Sequence, residues 1–319
     1  MHDTPPSLDQ SLGGLQWQGW LEAAEDVADQ DGYVEYLGPD HAAILIEKKP
    51  ILLVTFESFG SVSARTENAH PLGWSMVRTL DWSHLCLISK GDTWFRDERV
   101  YGYFDRLVDD GFFEDFEQVI FYGAGACGYA AAAYSVAAPG AKVLLLQPQA
   151  TLAPELTEWD DRFRHMRRTD FSSRYAYAPD MIEAAEKVFL LYDPEIRADA
   201  MHAALFNRPN VEQFRTRFMG AALEPALVRM EVILRMLAQV SSDRLDITNI
   251  ARLCRARHGD PRYQLNLLRR LRQEERHKLI VLLCKRVLKE RSAPLFRTAL
   301  ENSEQMLGAQ VRNEQQTIE

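Results

Sequence analysis

The sequence predicts an α/β protein, a mostly parallel sheet with helices on both faces, followed by a C-terminal helical extension. Three observations carry this. Apolar strand-like runs alternate with helical spacing over residues 45–240, the pattern of a parallel sheet with crossover helices. Residues 51–56 (Ile-Leu-Leu-Val-Thr-Phe) and 119–122 (Val-Ile-Phe-Tyr) are apolar on both alternating faces, as in strands covered on both sides. The second run leads into Gly123-Ala124-Gly125-Ala126-Cys127-Gly128 and an alanine-rich stretch ending near Ala138, which reads as strand, tight turn, helix.

The elements follow in order. Residues 15–28 carry Leu15, Trp17, Trp20 and Leu21 and suggest an amphipathic helix or an irregular packing segment. Residues 34–37 and 42–46 form a strand pair around Gly38-Pro39-Asp40. A strand at 51–56 and another at 85–88 precede a helix at 98–110, whose Val100, Tyr103, Phe104 and Leu107 share one face. After the glycine turn come a helix at 126–136, a stop at Pro139-Gly140 and a strand at 142–146. Residues 153–182, rich in Trp, Arg, Asp, Tyr and Phe, break the alternation as an excursion above the sheet edge. A helix at 179–187, a strand at 188–192, a helix at 199–206, a strand at 211–219 and a long helix at 222–240 complete the domain. The expected division is an acidic segment at 1–44, the α/β domain at 45–240, a helical extension at 241–309 and a frayed tail at 310–319.

Composition narrows the function classes. The apolar fraction of 46% supports a packed core, and no run approaches the length of a membrane helix. Residues 1–10 lack the basic and apolar regions of a secretory signal. Cys86, Cys127, Cys254 and Cys284 are widely spaced without a Cys/His cluster, so neither a metal nor a cofactor is expected, and a reducing cytoplasm fits. The net charge of −9 conceals an asymmetry. Residues 1–47 hold ten Asp/Glu and no Lys or Arg; residues 252–291 hold thirteen Lys/Arg against four Asp/Glu. Such a basic segment suits an acidic partner, an anionic surface or the protein's own acidic face, and nucleic acid is not expected.

Two functional devices use a turn of this kind. Gly123, Gly125 and Gly128 match the dinucleotide fingerprint G-x-G-x-x-G, yet the tip of the next strand, Leu146-Gln147-Pro148-Gln149, lacks the acid that would meet the ribose. The longer stretch Tyr122-Gly123-Ala124-Gly125-Ala126-Cys127-Gly128-Tyr129-Ala130-Ala131 resembles the Y-G-x-S-x-G-G-Y-A-A form of the nucleophile elbow of α/β-hydrolases. The resemblance extends over residues 45–240. It implies a site at the carboxyl ends of the strands and a Ser–Asp–His triad in that chain order. On this alignment Gly125 stands where the serine should be. Asp193 fits the acid, and Gly220-Ala221-Ala222, after the last strand, offers no histidine. Without a hydroxyl and an imidazole, acyl transfer by the triad is lost.

What the resemblance leaves is a scaffold. It implies an oxyanion pocket from the backbone of the loop at Glu57-Ser58 and from the Ala126 N–H. The expectation is a catalytically degenerate hydrolase-like protein that binds a small molecule or a partner, with Glu57, Ser58, Gly125 and Ala126 at the ligand. The alternative is an active esterase or acyltransferase using Cys127, whose position near a helix N-terminus would lower a thiol pKa, or an unrecognised nucleophile. Asp193 and His202, the latter three residues after Asp199, are the accompanying acid–base candidates. The second alternative is a dinucleotide-binding protein built on the three glycines.

Overall fold

The computed structural model describes residues 7–65 and 67–316, with side chains up to residue 309. Among these, residues 7–217 with 223–254 form one compact unit and residues 218–222 with 255–316 form another.

The first unit is built on eight strands: β1 (Gly32–Tyr36), β2 (His41–Ile46), β3 (Ile51–Ser58), β4 (Ser83–Ser89), β5 (Gln118–Ala124), β6 (Lys142–Leu146), β7 (Lys187–Tyr192) and β8 (Val211–Arg215). They lie in the order β1-β2-β4-β3-β5-β6-β7-β8. Only β2 runs against its neighbours; β4, β3 and β5 to β8 pair in parallel. β1 and β2 thus extend the sheet into residues whose acidic composition had set them apart. Charge reports the solvent side of such a hairpin, whereas the fully buried run 41–46 reports its membership of the sheet.

Both faces of the sheet are covered. On one side Phe56, Phe121, Val143 and Leu190 pack against α4 (Glu98–Asp109) and α5 (Ala126–Tyr134). Ala130 to Ala133 are fully buried, so α5 lies close to the strands, and the Tyr134 and Phe104 ring centroids lie 4.5 Å apart at a tilt of 31°. Each such aromatic side chain contributes about 1.5–3 kcal/mol by its burial. On the other side Ala42, Ile44, Cys86 and Ile88 meet Trp20 and Ala24 of α1 (Trp17–Ala28), Val62 of α2 (Phe59–Arg65) and Trp74 of α3 (Trp74–Leu80).

After β6 the excursion holds the short helices α6 (Pro154–Thr157) and α7 (Ala178–Met181). The helix expected at 179–187 is therefore one turn of α7 and one 3-10 turn at Ile182–Ala184, because the strand resumes at Lys187. α8 (Arg197–Leu205) follows β7. The last strand ends at Arg215, short of the expected 219. The expected long helix is split into α9 (Leu223–Arg229) and α10 (Val232–Ser241), because Glu231 takes a left-handed φ of 55°. α11 (Ile247–Leu253), placed by its composition in the helical extension, packs against β8 in this unit.

The second unit consists of α12 (Pro261–Gln273), α13 (His277–Glu290) and α14 (Pro294–Gln316) around Leu268, Leu271, Ile280, Cys284, Val287, Phe296 and Ala299. Asp260 caps α12 by accepting from the Tyr263 N–H at 2.9 Å, and Asn266 donates to the Phe218 carbonyl at 3.1 Å. Among the described residues no helix is long and apolar enough to cross a membrane, and all four cysteines are free.

Candidate functional site

The site forms where β5 gives way to α5 at the carboxyl edge of the sheet. Gly125 sits at the apex with φ 58° and ψ −125°, a conformation that strains any residue with a side chain. Its N–H donates to the Leu146 carbonyl at 2.8 Å, which fixes the turn to β6. A Cβ at Gly125 would meet no atom within 4 Å, so the apex faces open space. Gly123 has the opposite constraint: a Cβ there would overlap the backbone of Cys127 and Gly128. Ala124 to Cys127 are partly exposed, and the first-turn N–H groups of α5 have no intrahelical acceptor.

On one side of the turn lies a buried polar cluster. Glu57, at the end of β3, is 2% exposed. Its Oε1 accepts from the Thr55 hydroxyl and the Leu72 N–H, both at 2.9 Å, and its Oε2 accepts from Arg65 of α2 at 2.5 Å. Burial alone would raise the Glu57 pKa, but the Arg65 charge overrides it and holds the carboxyl below its usual range. The second Arg65 nitrogen faces Glu224 of α9 at 3.7 Å, and the Tyr122 hydroxyl donates to the same Glu224 oxygen at 2.8 Å. Burial raises the Glu224 pKa. One guanidinium therefore stands between two carboxylates, and Glu224 is the one more easily protonated. His84 bonds Thr55 Oγ1 at 2.8 Å through Nε2, and its burial lowers its pKa to about 4.

Glu57, His84 and Cys86 bring donor atoms within 4.8 Å of one another, a spacing a metal ion could use. The donor set does not suit one. Glu57 is already neutralised by Arg65 and accepts four hydrogen bonds, one of them from the Cys86 thiol at 3.8 Å, so a cation would have to displace the guanidinium.

On the other side, Gln147 follows β6 and spans two elements. It donates to Asp199 of α8 at 2.6 Å and accepts from the Leu223 N–H at 3.2 Å. Arg162 reaches Asp199 at 2.6 Å and Asp160 at 2.8 Å. His202 is fully buried; its Nδ1 accepts from the Ala150 N–H at 3.2 Å. That leaves the proton on Nε2, which donates to Asp160 Oδ2 at 3.0 Å. Burial lowers the His202 pKa, so the ring is neutral.

The strand order, the single reversed strand and an elbow at the end of β5 decide the architecture. This is the α/β-hydrolase fold. No family model matches the chain, and no curated protein does. Among solved structures the chain is similar to carboxyl esterase 2 of the mycorrhizal fungus Tuber melanosporum, at 14% identity over 70% of this chain and 82% of that one, with a TM-score of 0.43. It is similar to the capsule O-acetyltransferase of Neisseria meningitidis serogroup A at 12% identity, 65% and 94% coverage and a TM-score of 0.43. The Pyrobaculum calidifontis esterase matches at 16% identity, 75% and 97% coverage and a TM-score of 0.42.

The α/β-hydrolase elbow gathers some of the residues singled out from the sequence and separates others. Gly125 and Ala126 stand at its apex. Ser58 is at the end of β3, with its hydroxyl turned to Ser61 at 2.9 Å. Glu57 is buried beneath the surface, its carboxylate taken up by Arg65. Cys127 is half-buried, and burial, followed by the Glu224 and Glu57 charges, pushes its thiol up; this reverses the lowering expected from the helix N-terminus. Asp193 directly follows β7, is 1% exposed and accepts from the Glu195 N–H at 3.0 Å. His202 pairs with Asp160, not with Asp193. Where a ribose acid would stand for a dinucleotide, the amide of Gln147 is engaged at both ends.

Sequence reasoning missed Arg65, Glu224, Tyr122, Gln147 and Asp160. Glu224 is the most consequential, since it follows the loop where the resemblance places the histidine. A lone acid near the start of a helix carries no signal beyond ordinary helix preference.

Proposed function

We propose that this chain is a catalytically degenerate α/β-hydrolase-like protein that acts as a ligand- or partner-binding module, the ligand meeting the open turn at Gly125 and Ala126. The observation that carries the reading is Gly125 itself: the apex keeps its left-handed φ and faces open space, with no side chain on it. Two features support it. His202 has both ring nitrogens occupied and cannot serve as a base without breaking a buried bond. The Cys127 thiol is held protonated, the inactive form for a nucleophile. Four free cysteines agree with a reducing cytoplasm as its working compartment.

The test is a broad panel of p-nitrophenyl esters and thioesters, with Cys127→Ala beside the unmodified protein. The expected result is no turnover above buffer for either. Turnover abolished by Cys127→Ala would instead establish an esterase or acyltransferase working through that thiol.

A further inference from the structure

The first unit holds a cavity of about 210 Å³ that neither Gly125 nor Ala126 lines. Its walls come from the end of α2, the loop to α3 and α3 itself, and from the junction of α9 and α10. Leu72, Val228, Ile233 and Leu234 supply the apolar lining; Asn68, His70, Ser75 and Arg78 supply the polar one. Each wall carries a non-glycine residue in left-handed backbone, Ala69 beside His70 at φ 49° and Glu231 at φ 55°. Such conformations persist only where the surrounding structure imposes them.

His70 has a polar atom that the fold does not use. The residue is 7% exposed, and its Nε2 lies 2.6 Å from the Gln10 carbonyl, so Nε2 carries the proton and donates. Nδ1 is left with a lone pair and, among the described residues, no partner. Burial lowers the His70 pKa, so the ring is neutral and the lone pair stays free near neutral pH. The charged groups of the lining are already answered. Arg65 faces Glu57 and Glu224, Arg78 donates to Asp9 at 3.1 Å, and Glu231 faces Arg235 at 3.2 Å. A charged ligand would find no free counter-charge there, whereas a neutral hydroxyl would find a bare acceptor. A water would satisfy Nδ1 but leave the four apolar side chains wet.

We propose that this cavity binds a small neutral phenol, whose hydroxyl donates to His70 Nδ1 and whose ring packs on Leu72, Ile233 and Leu234. A dry cavity of about 150 Å³ holds benzene, so 210 Å³ suits one ring with its hydroxyl and one further small substituent. The Ser75 hydroxyl and the Asn68 amide are the uncharged donors in the lining for the phenol oxygen. This holds independently of what occupies the turn at Gly125.

The test is a ligand-observed NMR titration of the full chain with p-cresol, beside toluene, benzoate and benzylamine. p-Cresol is expected to saturate with a Kd of about 1 mM and to bind at least about tenfold more tightly than each of the others. His70→Phe keeps a ring but removes the acceptor, so p-cresol and toluene should then bind alike. Ser75→Trp places a large ring in the cavity and should weaken p-cresol by about tenfold or more with unchanged circular dichroism. Ser75 is partly exposed on α3, so this variant decides the matter even where His70→Phe does not fold. Equal binding of toluene to the unmodified protein, tighter binding of benzoate or benzylamine, no saturation below about 10 mM, or binding undiminished by Ser75→Trp each overturns the proposal.

Discussion

Placing a serine at the apex of the turn, Gly125→Ser, separates loss of the nucleophile from loss of the machinery around it. A Cβ there meets no atom within 4 Å, so the substitution brings no clash. It does bring backbone strain, since φ is 58° with ψ at −125°. Holding a non-glycine residue in such a region costs about 1–3 kcal/mol. For a unit of this size each kcal/mol corresponds to roughly 2–4 °C in Tm, so the melting temperature should fall by about 2–12 °C, and equally for Gly125→Ala. Hydrolysis is the second readout. Backbone donors alone leave a residual enhancement of about 10³–10⁴ over water, but the unmodified protein has the same donors, so that contribution cancels in the ratio. A general base contributes about 10²–10⁴. With His202 committed to Asp160 and Ala150, Gly125→Ser should hydrolyse p-nitrophenyl acetate no faster than the unmodified protein. A gain of about a hundredfold or more, with the serine labelled by a fluorophosphonate, would refute the reasoning, because a base would then have to stand within reach of the apex.

Other substitutions probe the surroundings. Gly123→Ala adds a Cβ onto the backbone of Cys127, so it should lower Tm more than either Gly125 variant in the same scan. Arg65→Met strands the buried Glu57 carboxylate and should cost about 3–5 kcal/mol in urea unfolding; adding Glu57→Met should recover part of that. His84 stays neutral in the fold down to about pH 4, against 6.5 when unfolded. Above pH 6.5 neither state is protonated there; as pH falls from 6.5 to 4 only the unfolded chain binds the proton. About 3 kcal/mol of stability is therefore lost over that interval, and His84→Gln should flatten that part of the urea-midpoint profile. At pH 8 the Cys127 thiol should alkylate with iodoacetamide at least about tenfold more slowly than free cysteine, read by mass spectrometry of its peptide.

The sheet was legible because its strands are covered on both faces. Runs such as 51–56 and 119–122 have no charged residue to obscure them, and the strand at 142–146 was placed to the residue. The elbow was legible because glycine is required at Gly123 and Gly125 for backbone reasons that any sequence must obey. The breaks were not. Nothing in the sequence 222–240 marks Glu231 as left-handed, since the residue is not glycine or asparagine and the apolar spacing continues through it. The polar clusters were equally hidden. Glu57, Arg65 and Glu224 are brought together by the crossing of three elements, and His202 meets Asp160 from 42 positions away. Burial raises the Cys127 thiol pKa where its place near a helix N-terminus predicted a lowering, and burial is a property of the fold, not of its neighbours in the chain.

Glycine at the apex changes what it costs to keep the turn. A serine at φ 58° is held against strain, which catalysis must justify; a glycine there carries almost none. Once the side chain is glycine, the turn can persist simply because α5 must start close to β5, as the overlap at Gly123 demands. A second indication of binding lies beside the open apex. Glu224 keeps a side chain 17% exposed, beside an Arg65 already neutralised by Glu57, in a cluster with one carboxylate more than it has cations. A purely structural cluster would be more stable with that carboxylate replaced by an amide. Glu224→Gln separates the two cases. If the cluster is structural, the variant should melt at or above the unmodified protein. If the carboxylate serves a ligand, the variant should also lose whatever stabilisation a ligand at the turn confers on the unmodified chain.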